Sequence, residues 1–406
     1  MGTSLAVRRI KVAAAVAAVA LVSAACGGSD SASSGGGGGG NKTPYKIGVA
    51  LALTGVSGAI GEPQKKSLDL YAEQLTKKGG INGHPVQFVY VDTTSDESQA
   101  VNAVRKLATQ DNVIAIVGPS SSGEGVAAKP IVDSLKVPTI TIAGAPGIVA
   151  PPTKYMFKEF PSPLDGLRAQ LQYLKDMGTN RVGIIFQNNA YGQAPAEAMP
   201  AMAKELGLEV TSSVPFPPAA TDVTPQLQAL AKDNPEALIV YAVSPANAVV
   251  AKNAKAINLK AQLFQSPGAA STAYIKLAGD AAEGTLVQGS KILAADAVAK
   301  DDPQYAAIND YASSYQAKYG ELPSQFGAGA WDAMTVMVAA IEKANPSGSD
   351  VPKARDAVRD ALETIDPING VVAVYDYTPM EHGTTGTKGF AILKVVGGKY
   401  VVEASS

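Results

Sequence analysis

The strongest constraint on this 406-residue chain is an alternation that starts at Tyr45. Short apolar runs that end in glycine or polar turns are separated by longer segments of helical periodicity. The run KIGVALAL, residues 46–53, closes on Thr54-Gly55 and reads as a buried strand. Pro63 to Lys78 carries Leu68, Tyr71 and Leu75 at helical spacing, with Lys77 and Lys78 in the last turn and Gly79-Gly80 as the stop. Val86 to Val91 is a β-branched and aromatic strand. Ser98 to Gln110 sets Val101, Val104 and Leu107 on one helical face. The run Val113 to Val117, a helix over Gly123 to Leu135 and the run Thr139 to Ile142 complete the series. Pro130 is expected to kink that helix or shift its boundary. Repeated β-α-β units close as a parallel sheet with helices on both faces.

The pattern then begins again. Helices are expected at Leu164–Met177, Ala194–Leu206, Asp222–Lys232 and Pro245–Ile257, with strands at Val182–Phe186, Val210–Val214 and Ala237–Tyr241. Asp111-Asn112 and Asp233-Asn234 precede the same order of elements, so the chain reads as two similar α/β lobes. The tail adds helices at Pro303–Lys318, Phe326–Ala344 and Pro352–Leu362 and strands at Val371–Tyr377 and Gly389–Val396. Trp331, Met334 and Val338 share a helical face and are assigned to the core. The fold class is α/β with two doubly wound parallel-sheet lobes. A ligand would bind between them, at the carboxyl ends of the strands.

Residues 1–25 read as an export signal. Arg8, Arg9 and Lys11 precede the apolar stretch Val12 to Ala25, which is short for a permanent span. The ending Leu21-Val22-Ser23-Ala24-Ala25-Cys26-Gly27 resembles a bacterial lipobox, although Ser23 stands where leucine is preferred. Cys26, the only cysteine, is the expected lipidation site; plain cleavage after an Ala-x-Ala-like site is the alternative. Residues 26–43 form a Gly/Ser-rich tether, whose 16 or so flexible residues would span roughly 20–25 Å. No later segment is long and apolar enough to span a bilayer, so a soluble body on a lipid anchor is expected.

Composition narrows the chemistry. Net charge is −2, which gives no footprint for nucleic acid. One cysteine and two histidines leave little room for a metal site or a His-dependent triad, and neither a metal nor a cofactor is expected. The loop Gly118-Pro119-Ser120-Ser121-Ser122-Gly123 joins a strand to a helix and offers hydroxyls and free N–H groups to a carboxylate or another electronegative group. A serine N-cap without a ligand reads the same residues equally well. No G-x-S-x-G or G-x-x-x-x-G-K-[ST] pattern is present. Asn188-Asn189-Ala190-Tyr191-Gly192 is placed to face the serine loop, with Tyr191 able to stack on a ligand. His84, after Asn82-Gly83, and His382 are expected in solvated loops. Asp92 and Asp96 are read as structural carboxylates.

Three stretches, KIGVALALTGVSGAIG, KKGGINGHPVQFVYVDTTSDESQAV and IVGPSSSGEGVAAKPIVDSLKVPTITIAGAP, together with RVGIIFQNNAYGQ, resemble the leucine/isoleucine/valine-binding protein family. The resemblance covers nearly the whole body. It implies a type I periplasmic-binding-protein fold, with two lobes joined by three crossover strands: residues 44–161 plus 290–370, and residues 162–289 plus 371–406. It implies a cleft ligand and no catalysis. The family's ligand-carboxylate serine falls on Ser122, the backbone-binding position on Ala143, the cleft tyrosine on Tyr191 and an aromatic near the last hinge on Phe326. Ala145 stands where amino-acid binders carry a threonine, and Ile60 replaces an aromatic. The acid that holds the ligand ammonium should fall near Ser266-Pro267, and its tyrosine helper near Val243 or, with a one-residue slip, at Tyr241. Asp165 is a substitute acceptor to consider. Burying an ammonium without a carboxylate costs several kcal/mol. The expected ligand is therefore a non-amino carboxylate, an amide or an apolar or aromatic acid.

The leading expectation is a monomeric, lipid-anchored capture protein on the extracytoplasmic face of the cell membrane, handing a small solute to an ABC permease and its ATPase. The runner-up is a ligand sensor of the same fold acting on a membrane receptor. An enzyme on this architecture is the third class, disfavoured by the missing catalytic groups.

Overall fold

The computed structural model describes residues 42–384 and 390–405, so the expected signal, Cys26 and most of the tether lie outside the described residues. Five strands form the first sheet: β1 (Tyr45–Leu51), β2 (Val86–Asp92), β3 (Ala115–Val117), β4 (Thr139–Thr141) and β5 (Met156–Lys158). Their order is β2-β1-β3-β4-β5, and all pair in parallel. The next strands are β6 (Arg181–Gln187), β7 (Glu209–Phe216), β8 (Ala237–Tyr241), β9 (Gln262–Gln265) and β10 (Leu286–Ser290). A small antiparallel pair, β11 (Ile368–Asn369) and β12 (Val374–Tyr375), precedes β13 (Phe390–Val396) and β14 (Lys399–Ser405). The second sheet runs β14-β13-β10-β9-β8-β6-β7. Its parallel part, β7-β6-β8-β9-β10, repeats the order of the first sheet. The last two strands add an antiparallel edge.

The helices of the first lobe are α1 (Gly58–Lys77), α2 (Glu97–Thr109) and α3 (Ser122–Ser134). Those of the second are α4 (Pro163–Asp176), α5 (Ala190–Leu206), α6 (Thr224–Lys232), α7 (Ala246–Ala256) and α8 (Thr272–Ala278). Three more, α9 (Tyr305–Tyr319), α10 (Gln325–Ala344) and α11 (Val351–Leu362), follow the second passage between lobes. Tyr45, Ile47, Val49 and Leu51 of β1 pack with Leu68 of α1, Met334 of α10 and Val358 of α11. Ala50 points to the other face, with Val104 and Leu107 of α2 and Val132 of α3. Burial on both faces explains why this strand reads as an unbroken apolar run. The second sheet is covered likewise, by Leu167 of α4 and Met199 of α5 on one face and by Leu227 of α6 and Val250 of α7 on the other. Met334 and Val338 are buried, and Trp331 is half-buried against the rings of Tyr71 and Tyr311. Among the described residues, no helix is long and apolar enough to cross a membrane.

Several expectations change. Helix α3 runs through Pro130, because Pro130 and Val126, four residues earlier, both lie on the exposed face. Residues 371–377 were expected as a strand of the second lobe. Only Val374–Tyr375 is strand, and Ala373, Tyr375 and Tyr377 enter the first-lobe core. Neither histidine is solvated. His84 stacks on Tyr45 at 4.2 Å with its Nδ1 2.8 Å from the Thr43 carbonyl. His382 stacks on Phe157 at 4.0 Å and lies 3.1 Å from Glu363. Each ring fills an apolar gap with its flat face and satisfies its polar edge locally.

The passages between lobes are tied together. The first leaves β5 at Glu159 and enters α4. Alongside it, the Lys158 N–H donates to the His382 carbonyl at 2.8 Å, and Tyr377 Oη donates to the Lys158 carbonyl at 3.0 Å. The Thr384 hydroxyl donates to the Glu159 carbonyl at 3.3 Å, just before the third passage. At the second, the Ser290 N–H donates to Gln325 Oε1 at 3.0 Å.

A buried acid pair sits under this hinge. Tyr375 Oη lies 2.8 Å from Glu159 Oε1 and 2.9 Å from Asp332 Oδ2. One phenol has one proton, so it serves both acids only if one of them carries a proton. Burial pushes Glu159 up to about 8, with Asp332 adding to the rise, and burial pushes Asp332 up to about 7. Both folded values exceed the unfolded ones, so this contribution to stability is complete at acid pH and is lost as pH rises through about 7–8. Lys158, pushed down to about 8 by desolvation, has the opposite sign only above that. Urea unfolding should therefore give a smaller unfolding free energy at pH 8 than at pH 5, and Glu159→Gln should shrink that difference. An unchanged pH dependence in the variant would remove the pair as its source.

Arg355 of α11 staples the first lobe. Its buried guanidinium donates to the carbonyls of Ala108 at 2.7 Å, in the last turn of α2, Val113 at 2.9 Å, just past that helix, and Leu135 at 3.4 Å, just past α3. Arg355→Met keeps the stem and strands three carbonyls, and should lower the unfolding free energy by about 3 kcal/mol in urea.

Candidate functional site

Both sheets reverse order beside their first strand, between β1 and β3 and between β6 and β8. Loops at such switch points face outward from the strands' carboxyl ends. The loop after β3 is held from behind. Ser120 Oγ accepts from the Ala52 N–H at 3.0 Å and donates to Gln64 Oε1 at 2.6 Å. Ser121 caps α3 in a reciprocal box with Glu124. Its N–H donates to Glu124 Oε2 at 3.0 Å, and its Oγ accepts from the Glu124 N–H at 3.5 Å. Glu124 is fully buried, and its other oxygen accepts from Thr93 at 2.5 Å. Burial raises its carboxyl above the usual range, against the pull of these hydrogen bonds. Ser122 Oγ accepts from the Ala145 N–H at 3.2 Å. The N–H groups of Ser122 and Gly123 meet no acceptor among the described residues, as expected for a helix start.

The opposite wall is built in the same way. Asn189 caps α5, its Oδ1 accepting from the N–H groups of Tyr191 and Gly192 at 3.1 Å. Gln187 ties the loops: its Oε1 accepts from the Val243 N–H at 2.9 Å and its Nε2 donates to the Pro218 carbonyl at 3.2 Å. Glycine is required at 192, where a Cβ would lie 2.2 Å from the Gln187 carbonyl oxygen. At the hinge, Gln325 Nε2 donates to the Pro267 carbonyl at 2.6 Å. First-lobe helix α10 is thereby joined to the second-lobe wall.

A cavity of about 190 Å³ lies between these walls. Five of the six expected residues line it: Ser121, Ser122, Ala143, Tyr191 and Phe326. Ala145 does not. It is 2% exposed, and it acts through its N–H, which positions Ser122. Ile60, Val243 and Pro267 also line the cavity, while Ser266 is buried behind it with its hydroxyl on the Ala242 carbonyl. Tyr241 stays in the core, its hydroxyl on the Pro163 carbonyl at 2.8 Å, and Asp165 is not in the lining. Asp92 binds Thr54 and the N–H groups of residues 53, 54 and 94, and Asp96 caps α2. Both carboxylates are structural. The lining also includes Phe160, Gln325 and Glu97, which the sequence reading missed. Phe160 and Gln325 lie at the lobe passages. Glu97 looks in sequence like any acid in the first turn of a helix.

Comparison with known proteins agrees with this architecture. A family model described as "Periplasmic binding protein" matches residues 44–399. A Leu/Ile/Val-binding protein homologue from Brucella melitensis is 25% identical over 360 residues, covering 87% of this chain and 92% of the relative. An extracellular ligand-binding receptor from Rhodopseudomonas palustris superposes with a TM-score of 0.81 at 26% identity, covering 88% of this chain and 99% of that one. A solute-binding protein of an ABC transporter from the same species, in complex with 3,4-dihydroxy benzoic acid, shares the fold with a TM-score of 0.76 at 18% identity, covering 89% and 96%. The chain belongs to the leucine/isoleucine/valine-binding family of type I periplasmic binding proteins. Members of that extracytoplasmic family are solute-binding proteins, not enzymes.

Gly192→Ala should displace the turn that carries Tyr191. A drop of about 1–3 kcal/mol in unfolding free energy is expected, measured by urea unfolding.

Proposed function

We propose that this chain is the solute-capture protein of an ABC importer. In this reading it is a monomer held on the extracytoplasmic face of the membrane by lipid on Cys26, and it delivers its ligand to a permease and its ATPase. Ser121, Ser122, Ala143, Tyr191 and Phe326 bind the ligand. The free N–H groups at the start of α3 receive an electronegative end, a carboxylate or an amide carbonyl. Tyr191, Phe326 and the apolar side chains of Ile60 and Val243 enclose the rest. Closure of the lobes about the tied passages would bury the solute and create the form that a permease recognises.

The observation that carries the ligand class is the second-lobe wall. Val243 and Pro267 line the cavity at the positions where the family resemblance puts the ammonium acceptors, and neither side chain supplies one. A desolvated ammonium there would cost several kcal/mol. The ligand is therefore a small solute with an apolar body other than a free α-amino acid. A protein of the same fold in complex with 3,4-dihydroxy benzoic acid, a carboxylate without an ammonium, is consistent with this.

A thermal-shift screen of residues 43–406 tests the reading. The panel holds branched amino acids, non-amino carboxylates, amides and aromatic acids. A ligand at 100 times its Kd should stabilise the fold by about 2.7 kcal/mol. Shifts are expected from the non-amino compounds; the largest shift from leucine or valine would overturn the ligand class.

A further inference from the structure

The cleft holds one carboxylate. Among the described residues that line the cavity, Glu97 is the only Asp, Glu, Lys or Arg. It opens α2, where Asp96 supplies the side-chain cap. No hydrogen bond or ion pair engages its side chain among the described residues. The carboxylate rests on Gly123, where a Cβ would lie 2.3 Å from Glu97 Oε1. Glu97, itself an exposed residue, thus stands beside the two free N–H donors of Ser122 and Gly123, in a lining with no other ionisable acid or base of the Asp, Glu, Lys or Arg type.

That juxtaposition discriminates among electronegative ligands. A plain carboxylate on the two N–H groups would meet a like charge at its side, with no Lys or Arg in the lining to offset it, although solvent at the exposed Glu97 weakens the repulsion. An ammonium has three N–H donors, and only Glu97 among the ionised groups could meet them, since the second-lobe wall has none. A carboxamide matches both sides. Its oxygen is an acceptor, and its nitrogen, one bond away from the same carbon, is a donor.

We propose that Glu97 makes this cleft selective for a carboxamide, whose carbonyl oxygen takes the N–H groups of Ser122 and Gly123 and whose N–H donates to the Glu97 carboxylate. This rests on the solute-binding reading above and narrows its ligand class. The bound oxygen stays neutral, so binding of the amide is nearly independent of salt, whereas repulsion of the acid is screened by it.

Calorimetry on the body with matched probes tests the assignment. One set is 4-methylpentanamide, 4-methylpentanoate and leucine; the other is benzamide and benzoate. The wild-type protein should bind an amide more tightly than its acid. Glu97→Gln should tighten the acid and weaken the amide, shifting their ratio by about fivefold or more. An acid that binds as tightly as its amide, or a ratio that Glu97→Gln leaves unchanged, overturns the proposal and leaves the solute-binding reading intact. Leucine as the tightest probe overturns both the carboxamide class and the exclusion of amino acids. Failure of every probe to bind either protein counts against the cleft as a site for these solutes, and the proposal falls with it.

Discussion

Everything in this molecule hangs on the direction of its strands. In a parallel sheet each strand ends on the same edge, and the chain must return through a helix before the next begins. Loops and helix starts therefore collect on one edge of each sheet. Where the strand order reverses, two of those loops diverge and leave a hollow. Two sheets of the same order, set edge to edge, make the hollow into a cleft. Ser121, Ser122, Tyr191, Val243 and Pro267 meet there although up to 146 residues separate them in sequence. Each stands beyond the carboxyl end of a strand: the two serines after β3, Tyr191 after β6, Val243 after β8 and Pro267 after β9.

Polar anchoring keeps those loops in place. Ser120, Gln187 and Gln325 do similar work at three points of the cleft. Each uses a side-chain amide or hydroxyl to tie separate segments: Gln187 and Gln325 join two backbone groups, and Ser120 joins the Ala52 N–H to the Gln64 side chain. Buried groups of this kind hold position because breaking one strands a partner away from water. The Glu159–Tyr375–Asp332 group does the same below the hinge, with a proton as part of the structure. It joins the strand that leaves the first lobe to the segment that returns to the second.

The strands and helices of the first lobe were legible because their signals are local and strong. Burial on both faces makes β1 an unbroken apolar run, and glycine pairs stop its helix. The serine loop was legible for the same reason: a strand, a short polar turn and a helix start follow one another. Elements that depend on distant partners were not. Strand β9 has four residues, and the stretch 371–377 is rich in apolar residues because Ala373, Tyr375 and Tyr377 join the core of Tyr45 and Met334 while Val371 and Val372 join that of Tyr311, not because it extends a sheet. Both histidines looked solvated because turn residues surround them in sequence, while their ring partners, Tyr45 and Phe157, come from elsewhere. The site divides likewise. Ala145 and Ser122 are close in the chain's logic, yet only Ser122 reaches the cavity. Glu97 carries no mark of its place, since only the packing of α2 beside α3 sets its carboxylate against Gly123.

The separation between ladder and loop has a consequence for how such a protein changes over generations. Val243, Pro267, Tyr191 and Glu97 all lie outside the strands, so none contributes to strand pairing. Side-chain substitutions at these positions leave the strand ladder untouched, and a new ligand can be acquired while the scaffold stays under unrelaxed selection. Divergence in what is bound can then run far ahead of divergence in shape.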